Sequence, residues 1–199
     1  VTPITVYISW LIAYPIETAF SKYYILDAKK ILKSHKNIKV IGITGSYGKT
    51  STKNFLYKLL SSKYDVLMTP KNYNTTLGVT MTIRNELKAT HEIFICEMGA
   101  RHVGDIKEIC DIVNPQHGII TSVGPQHLES FKSLDNVKKT KLELADALPI
   151  YGKLFLSLYV ERHAVLRIVT TGKVDVLAHV FVAMTVEEAP YTGFARTHS

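Results

Sequence analysis

The stretch Val40-Ile41-Gly42-Ile43-Thr44-Gly45-Ser46-Tyr47-Gly48-Lys49-Thr50-Ser51 decides the fold. Val40–Ile43 is a short apolar run rich in β-branched residues and reads as a buried strand. Gly45 and Gly48 permit a tight backbone turn, and a helical pattern opens after it. Successive backbone N–H groups at a helix N-terminus form an anion site. Lys49 is placed to neutralise the β- and γ-phosphates of a nucleotide, and the Thr50 hydroxyl to ligate Mg²⁺. The spacing is G-x-x-G-K-T-S; the pattern G-x-x-x-x-G-K-[ST] is not met, because Ile43 stands at its first glycine.

Working outward, three more apolar runs read as strands: Val66–Met68, Ile93–Cys96 and Ile119–Thr121. Helical patterns lie between them. Phe55, Leu56, Leu59 and Leu60 are expected to share the buried face of the first helix, with Lys53 and Lys58 away from it. Ile106, Ile109, Ile112 and Val113 form a second stripe. Strands alternating with helices predict an α/β fold with a mostly parallel, phosphate-loop-type sheet flanked by helices. Ligands of such sheets bind beyond the carboxyl ends of the strands.

Chemistry-bearing residues stand at those ends. Glu97 follows Ile93–Cys96, where a carboxylate beside a phosphate loop suits a hard cation such as Mg²⁺. His127 lies a few residues past Ile119–Thr121. After Ser133, the residues Leu134, Val137, Lys141, Leu144 and Leu148 recur at spacings of three and four, so Lys141 falls inside an apolar stripe. Desolvation there lowers a lysine's pKa, and a neutral amine can add CO₂ to form a carbamate. The alternative is a lysine whose stem packs on the core while its head reaches water.

Composition bounds the rest. The chain has 199 residues, of which 46% are hydrophobic and 21% charged, enough for a packed core and unlike a disordered chain. Cys96 and Cys110 cannot make a disulfide framework, which favours a reducing, cytoplasmic setting. The net charge of +7 favours anionic partners. Residues 1–36 form an apolar and then basic segment, with no charge before Glu17 and Pro15 interrupting the run. Two readings stand for it: a helical hairpin packed on the domain, and a membrane-proximal segment whose lysines (Lys22, Lys29, Lys30, Lys33, Lys36) mark the cytoplasmic flank.

Five blocks together resemble the ATP-dependent Mur ligase family of peptidoglycan synthesis. They are Thr44–Ser51, Asn72–Val79, Glu97–Arg101, Gly124–Leu128 and Thr140–Leu144. The resemblance covers about Lys39 to Ser157, the first part of that family's central domain. It implies that Gly45, Ser46, Gly48, Lys49, Thr50 and Ser51 form an ATP loop, and that Thr50, Glu97, His127 and a carbamylated Lys141 ligate magnesium. It implies a carbamylated Lys141 acting with Lys49 and His127 in catalysis, and Asn74 and Thr75 approaching a UDP-sugar peptide. It also implies the partners of its D-alanyl-D-alanine-adding branch, UDP-N-acetylmuramoyl-tripeptide and D-alanyl-D-alanine, and no nucleic acid. The expected location is cytoplasmic, at the inner face of the membrane if residues 1–36 touch it.

Residues 37–157 are thus expected to be a partial central ATP-binding domain, with 158–199 an unassigned tail and the chain a portion of a longer ligase. Two alternatives remain: a nucleotide-binding module or truncated fragment without turnover, and a related ligase such as folylpolyglutamate synthetase. Glu97-Met98-Gly99-Ala100 argues for the D-alanyl-D-alanine branch over the latter.

Overall fold

The computed structural model describes residues 2–125, 128–160 and 163–169. Five parallel strands, β1 (Lys39–Thr44), β2 (Val66–Met68), β3 (Ile93–Glu97), β4 (His117–Ile120) and β5 (Lys153–Val160), join β6 (His163–Val169) in one sheet. The order is β2-β3-β1-β4-β5-β6, and only the β5–β6 pair is antiparallel. The helices are α1 (Thr2–Ser34), α2 (Lys49–Leu60), α3 (Thr76–Glu86), α4 (Asp105–Val113), α5 (Leu128–Phe131) and α6 (Leu134–Asp146). This is the α/β architecture that the alternating pattern predicts.

The strands are apolar on both faces because both are covered. Ile41, Ile43, Ile93, Ile95 and Ile119 pack with Leu56 and Leu60 of α2 on one side. Val40, Phe94, Cys96 and Ile120 pack on the other with Ala28, Leu32, Val79, Ile83, Ile106, Ile109 and Leu144, from α1, α3, α4 and α6. Each large aliphatic side chain so buried contributes about 1.5–3 kcal/mol. The alternation also aims the site: Glu97 follows Ile93 and Ile95, so its carboxylate emerges on the α2 side of the sheet.

Close approach seats α6. A methyl group on Gly42 would lie 2.8 Å from Leu144 Cδ1, and one on Gly118 would lie 3.1 Å from Leu144 Cγ. These two glycines of β1 and β4 make a trough for Leu144, and Lys141 lies one helical turn before it.

Two expectations about helices are corrected. On α2 the buried residues are Lys53, Leu56 and Leu60, whereas Phe55 and Leu59 are exposed. The loop after β1 fixes where α2 starts and so how it is rotated, and that rotation turns Lys53 inward. The segment before β1 is one continuous helix and not a hairpin. Residues 1–34 contain no Gly or Asn to supply a helix–helix turn, and Pro15 is carried inside the helix.

Among the described residues, the second half of α1 is the part that packs on the domain. Ala28 and Leu32 are buried, and Asp27 accepts a 2.7 Å bond from Arg84 Nε of α3. The Arg84 guanidinium also lies 4.1 Å from the Tyr24 ring centroid. The first half leaves Val6, Tyr7, Trp10, Leu11, Ile12 and Tyr14 exposed. Among the described residues, no helix is long and apolar enough to cross a membrane.

Candidate nucleotide and metal site

The loop between β1 and α2 is built on two left-handed or near-extended glycines. Gly48, at φ 78°, is the N-cap of α2 and supplies no side-chain cap, so the first N–H groups of the helix face the loop. Gly45, at φ 148°, has its hydrogen directed at Thr121 Oγ1, where a methyl group could not fit. Lys49 folds back over the loop and donates to the carbonyls of Gly45 (2.7 Å) and Ser46 (3.3 Å). Burial lowers its pKa, and the nearby Glu97 charge opposes that shift.

A second wall comes from the segment after β4. Ser46 N donates to Ser122 O (2.8 Å), Ser46 Oγ to Gly124 O (2.9 Å) and Tyr47 N to Ser122 Oγ (2.9 Å). The Tyr47 hydroxyl donates to Pro125 O at 3.0 Å. Ser46 therefore spends its own polar groups on fixing the loop. Ser51 is exposed in the first turn of α2. His127 lies outside the described residues.

Glu97 is the hub of the site, with 2% of its side chain exposed. It accepts the Thr50 hydroxyl (3.1 and 3.2 Å to its two oxygens), Asn74 Nδ2 (3.2 Å) and the Lys53 ammonium (2.9 Å). Its backbone N–H is held by the buried Thr69 hydroxyl at 3.0 Å. Asn74 is fixed in turn, since its carbonyl accepts from Gly99 N at 2.6 Å. Thr75 is the N-cap of α3 and accepts from Gly78 N at 3.2 Å. Its hydroxyl is thus occupied by the helix end, while Asn74 faces the carboxylate.

Lys141 is buried on α6, with 2% exposed. Desolvation, and after it the positive charge of Lys49, bring its pKa down to about 8, against the pull of Glu143 and Asp105. Glu143, two residues on, accepts the backbone N–H groups of Gly104 (2.7 Å) and Lys107 (2.9 Å). A carboxylate on the N-terminus of α4 is favourable and locks α6 against it.

The structure therefore brings Lys49, Thr50, Asn74 and Glu97 to one place, with Lys141 near enough for its charge to couple to that of Lys49. Sequence reasoning missed Lys53. It stands four residues after Lys49, one turn along the same face, and that spacing was the available signal. A cleft of about 630 Å³ lies elsewhere, at the amino ends of the strands. Lys29, Lys33, Lys36, Val40 and Gln116 are among its walls, and its lysines border the carbonyl end of α1.

A family model described as the Mur ligase middle domain matches residues 43–178. The chain belongs to the Mur ligase family. The match runs past Ser157, to which the resemblance read from the sequence extends. A curated relative from Mycobacterium tuberculosis, UDP-N-acetylmuramoyl-tripeptide–D-alanyl-D-alanine ligase, is 38% identical over 118 residues, 59% of this chain. The solved structure of MurF from Acinetobacter baumannii matches with a TM-score of 0.66 and 32% identity, covering 68% of this chain and 30% of that one. MurF from Thermotoga maritima, in complex with ADP, matches at TM-score 0.65 and 34% identity, covering 68% and 31%. This Mur ligase chain spans about a quarter (23%) of the length of the curated relative.

Within the Mur ligase middle domain, the described residues of the first four sequence blocks gather beyond the carboxyl ends of the strands. Glu97 joins the loop to the Asn72–Val79 block, and Ser122 with Gly124 ties the loop to the block after β4. The Thr140–Leu144 block is brought up by the Leu144 trough.

Proposed function

We propose that this chain is the nucleotide-handling part of an ATP-dependent amide ligase that joins D-alanyl-D-alanine to a UDP-N-acetylmuramoyl-tripeptide in peptidoglycan precursor synthesis. One observation carries the reading: the loop's Thr50 and the strand-end Glu97 meet beside Lys49, with a partly desolvated Lys141 near them. The substrate pair follows from the names of the relatives.

In the proposed reaction, the terminal carboxylate of the tripeptide attacks the γ-phosphorus of ATP. An O–P bond forms, the β–γ bridging bond breaks, and ADP leaves. The amine of D-alanyl-D-alanine then attacks the acyl carbon, expels inorganic phosphate and loses a proton. The residues act by position and charge. The N–H groups at the start of α2 and the Lys49 ammonium hold the β- and γ-phosphates, and Asn74 marks the side from which the UDP-sugar peptide arrives.

The donor set fits Mg²⁺. Hydroxyl and carboxylate are hard oxygen ligands, and Mg²⁺ needs only one or two from protein besides waters and phosphate oxygens. Among the described residues there is no cluster of three or more His, Cys, Asp or Glu that could hold a metal alone. Thr50 and Glu97 would hold the ion, with His127 and carbamylated Lys141 serving a second; its contribution when bound is to neutralise phosphate charge. Titrating ATP into the chain should give saturable binding that MgCl₂ strengthens. In Thr50→Val, the magnesium-dependent gain should fall by about tenfold or more. Absence of ATP binding by the parent chain would refute the reading.

The reading extends to location, at the cytoplasmic face of a membrane. Tyr7, Trp10 and Tyr14 form an exposed aromatic row, with neighbouring ring centroids 6.1 and 5.1 Å apart, and lysines follow it. Trp10 is the chain's single tryptophan, so its fluorescence reports on that helix alone. Vesicles containing anionic lipid should shift its emission to the blue, and added salt should weaken the effect. Unchanged emission would remove the membrane contact and leave the nucleotide reading intact.

A further inference from the structure

Lys53 is among the most buried side chains in the protein, with 1% exposed, yet it ends in an ammonium. It reaches two partners on different elements: Glu97 Oε2 at 2.9 Å and the backbone carbonyl of Lys71 at 2.6 Å. Lys71 adopts φ 45°, a left-handed conformation that a non-glycine residue rarely takes. It lies in the segment that leads to Asn74, whose amide donates to the other carboxylate oxygen, Glu97 Oε1, at 3.2 Å. Lys53 therefore grips Glu97 directly and also pins the loop that delivers Asn74 to the same carboxylate. With Thr50 on both oxygens, the carboxylate is held from three sides.

We infer that Lys53 is a positioning residue: by bridging Glu97 to the Lys71 carbonyl it fixes the carboxylate toward Thr50 and couples the nucleotide loop to the Asn74 loop, so that it sets magnesium-dependent nucleotide affinity without touching nucleotide. The inference rests on the proposed nucleotide site. A cation used only to neutralise a buried charge would affect folding alone. One that aims a metal-binding carboxylate affects the response to metal, as partners that orient ligands do by about 10–100-fold.

The test measures ATP affinity twice for each protein, in MgCl₂ and in EDTA, and takes the ratio. The full chain is compared with Lys53→Met, Lys53→Gln and Lys53→Arg, each checked for folding by circular dichroism. Affinity in EDTA should stay close to that of the parent in the neutral variants, because the loop and Lys49 are intact. Their magnesium ratio should fall about 10–100-fold, and Lys53→Arg should recover part of it. An unchanged ratio in a folded neutral variant overturns the inference. An equal loss with and without magnesium, or failure of both neutral variants to fold, assigns Lys53 to the core alone and overturns it too. A parent chain that binds ATP without any magnesium effect refutes the metal reading itself, and the inference falls with it.

Discussion

Lys49→Ala is expected to lower the affinity of this chain for Mg-ATP by about 30- to 700-fold. Its ammonium is poised over the loop by the carbonyls of Gly45 and Ser46, so a phosphate meets a charge already in place. Losing one desolvated partner of a charge pair costs about 2–4 kcal/mol, and each 1.4 kcal/mol is tenfold. The fold should tolerate the change. Burial already works against the Lys49 charge, as its lowered pKa shows, so deleting the ammonium removes a desolvation cost along with two hydrogen bonds. Lys49→Arg should not restore binding, because a planar guanidinium cannot replace a compact ammonium against two loop carbonyls. Calorimetric titration beside a thermal melt separates the effects. Affinity within about threefold of the parent in a folded Lys49→Ala chain would sink the loop assignment.

The sequence exposes this loop because local rules govern it. A β-branched strand, two glycines and a Lys-Thr pair are adjacent in sequence, so the candidate loop is read from neighbouring residues alone. The strand at Ile93 and the stripe at Ile106–Val113 are legible from local sequence too, the first as an unbroken apolar run and the second by its helical spacing. Lys53 is not legible that way. Its composition says surface, and its burial depends on Glu97, 44 residues away on another element and visible only once β1 and β3 pair. Phe55 and Leu59 fail for the complementary reason. They are apolar at helical spacing, but the rotation of α2 is set by Gly48 and the loop, and it leaves them outside. The α1 segment shows a third case. Pro15 suggests a break that the helix does not make, and which half packs is decided by a tertiary pair, Asp27 with Arg84.

Lys141→Met is expected to stabilise the isolated chain near neutral pH while destroying the chemistry proposed for it. The folded pKa of Lys141 is about 8, below the ordinary 10.5, so above pH 10.5 the group is neutral in both states and costs nothing. As pH falls from 10.5 towards 8 the unfolded chain takes up a proton that the folded chain resists, and stability is lost across that window. Below it the loss is complete, at about 3 kcal/mol from 1.36 kcal/mol per pH unit. Methionine fills a similar space without the charge, so denaturant midpoints at pH 7 should rise and should converge with those of the parent near pH 10.5. The gain should shrink in a Lys49→Ala background, because the Lys49 charge supplies part of the shift. The same low pKa makes a neutral amine available to CO₂, forming an N–C bond and releasing a proton. In ¹³C-bicarbonate at pH 8, a carbamate resonance should appear in the parent and vanish in Lys141→Met. A stability difference that persists unchanged to pH 10.5 would show that the lysine is not desolvated as described, and a carbamate signal surviving the substitution would place the modification on another amine.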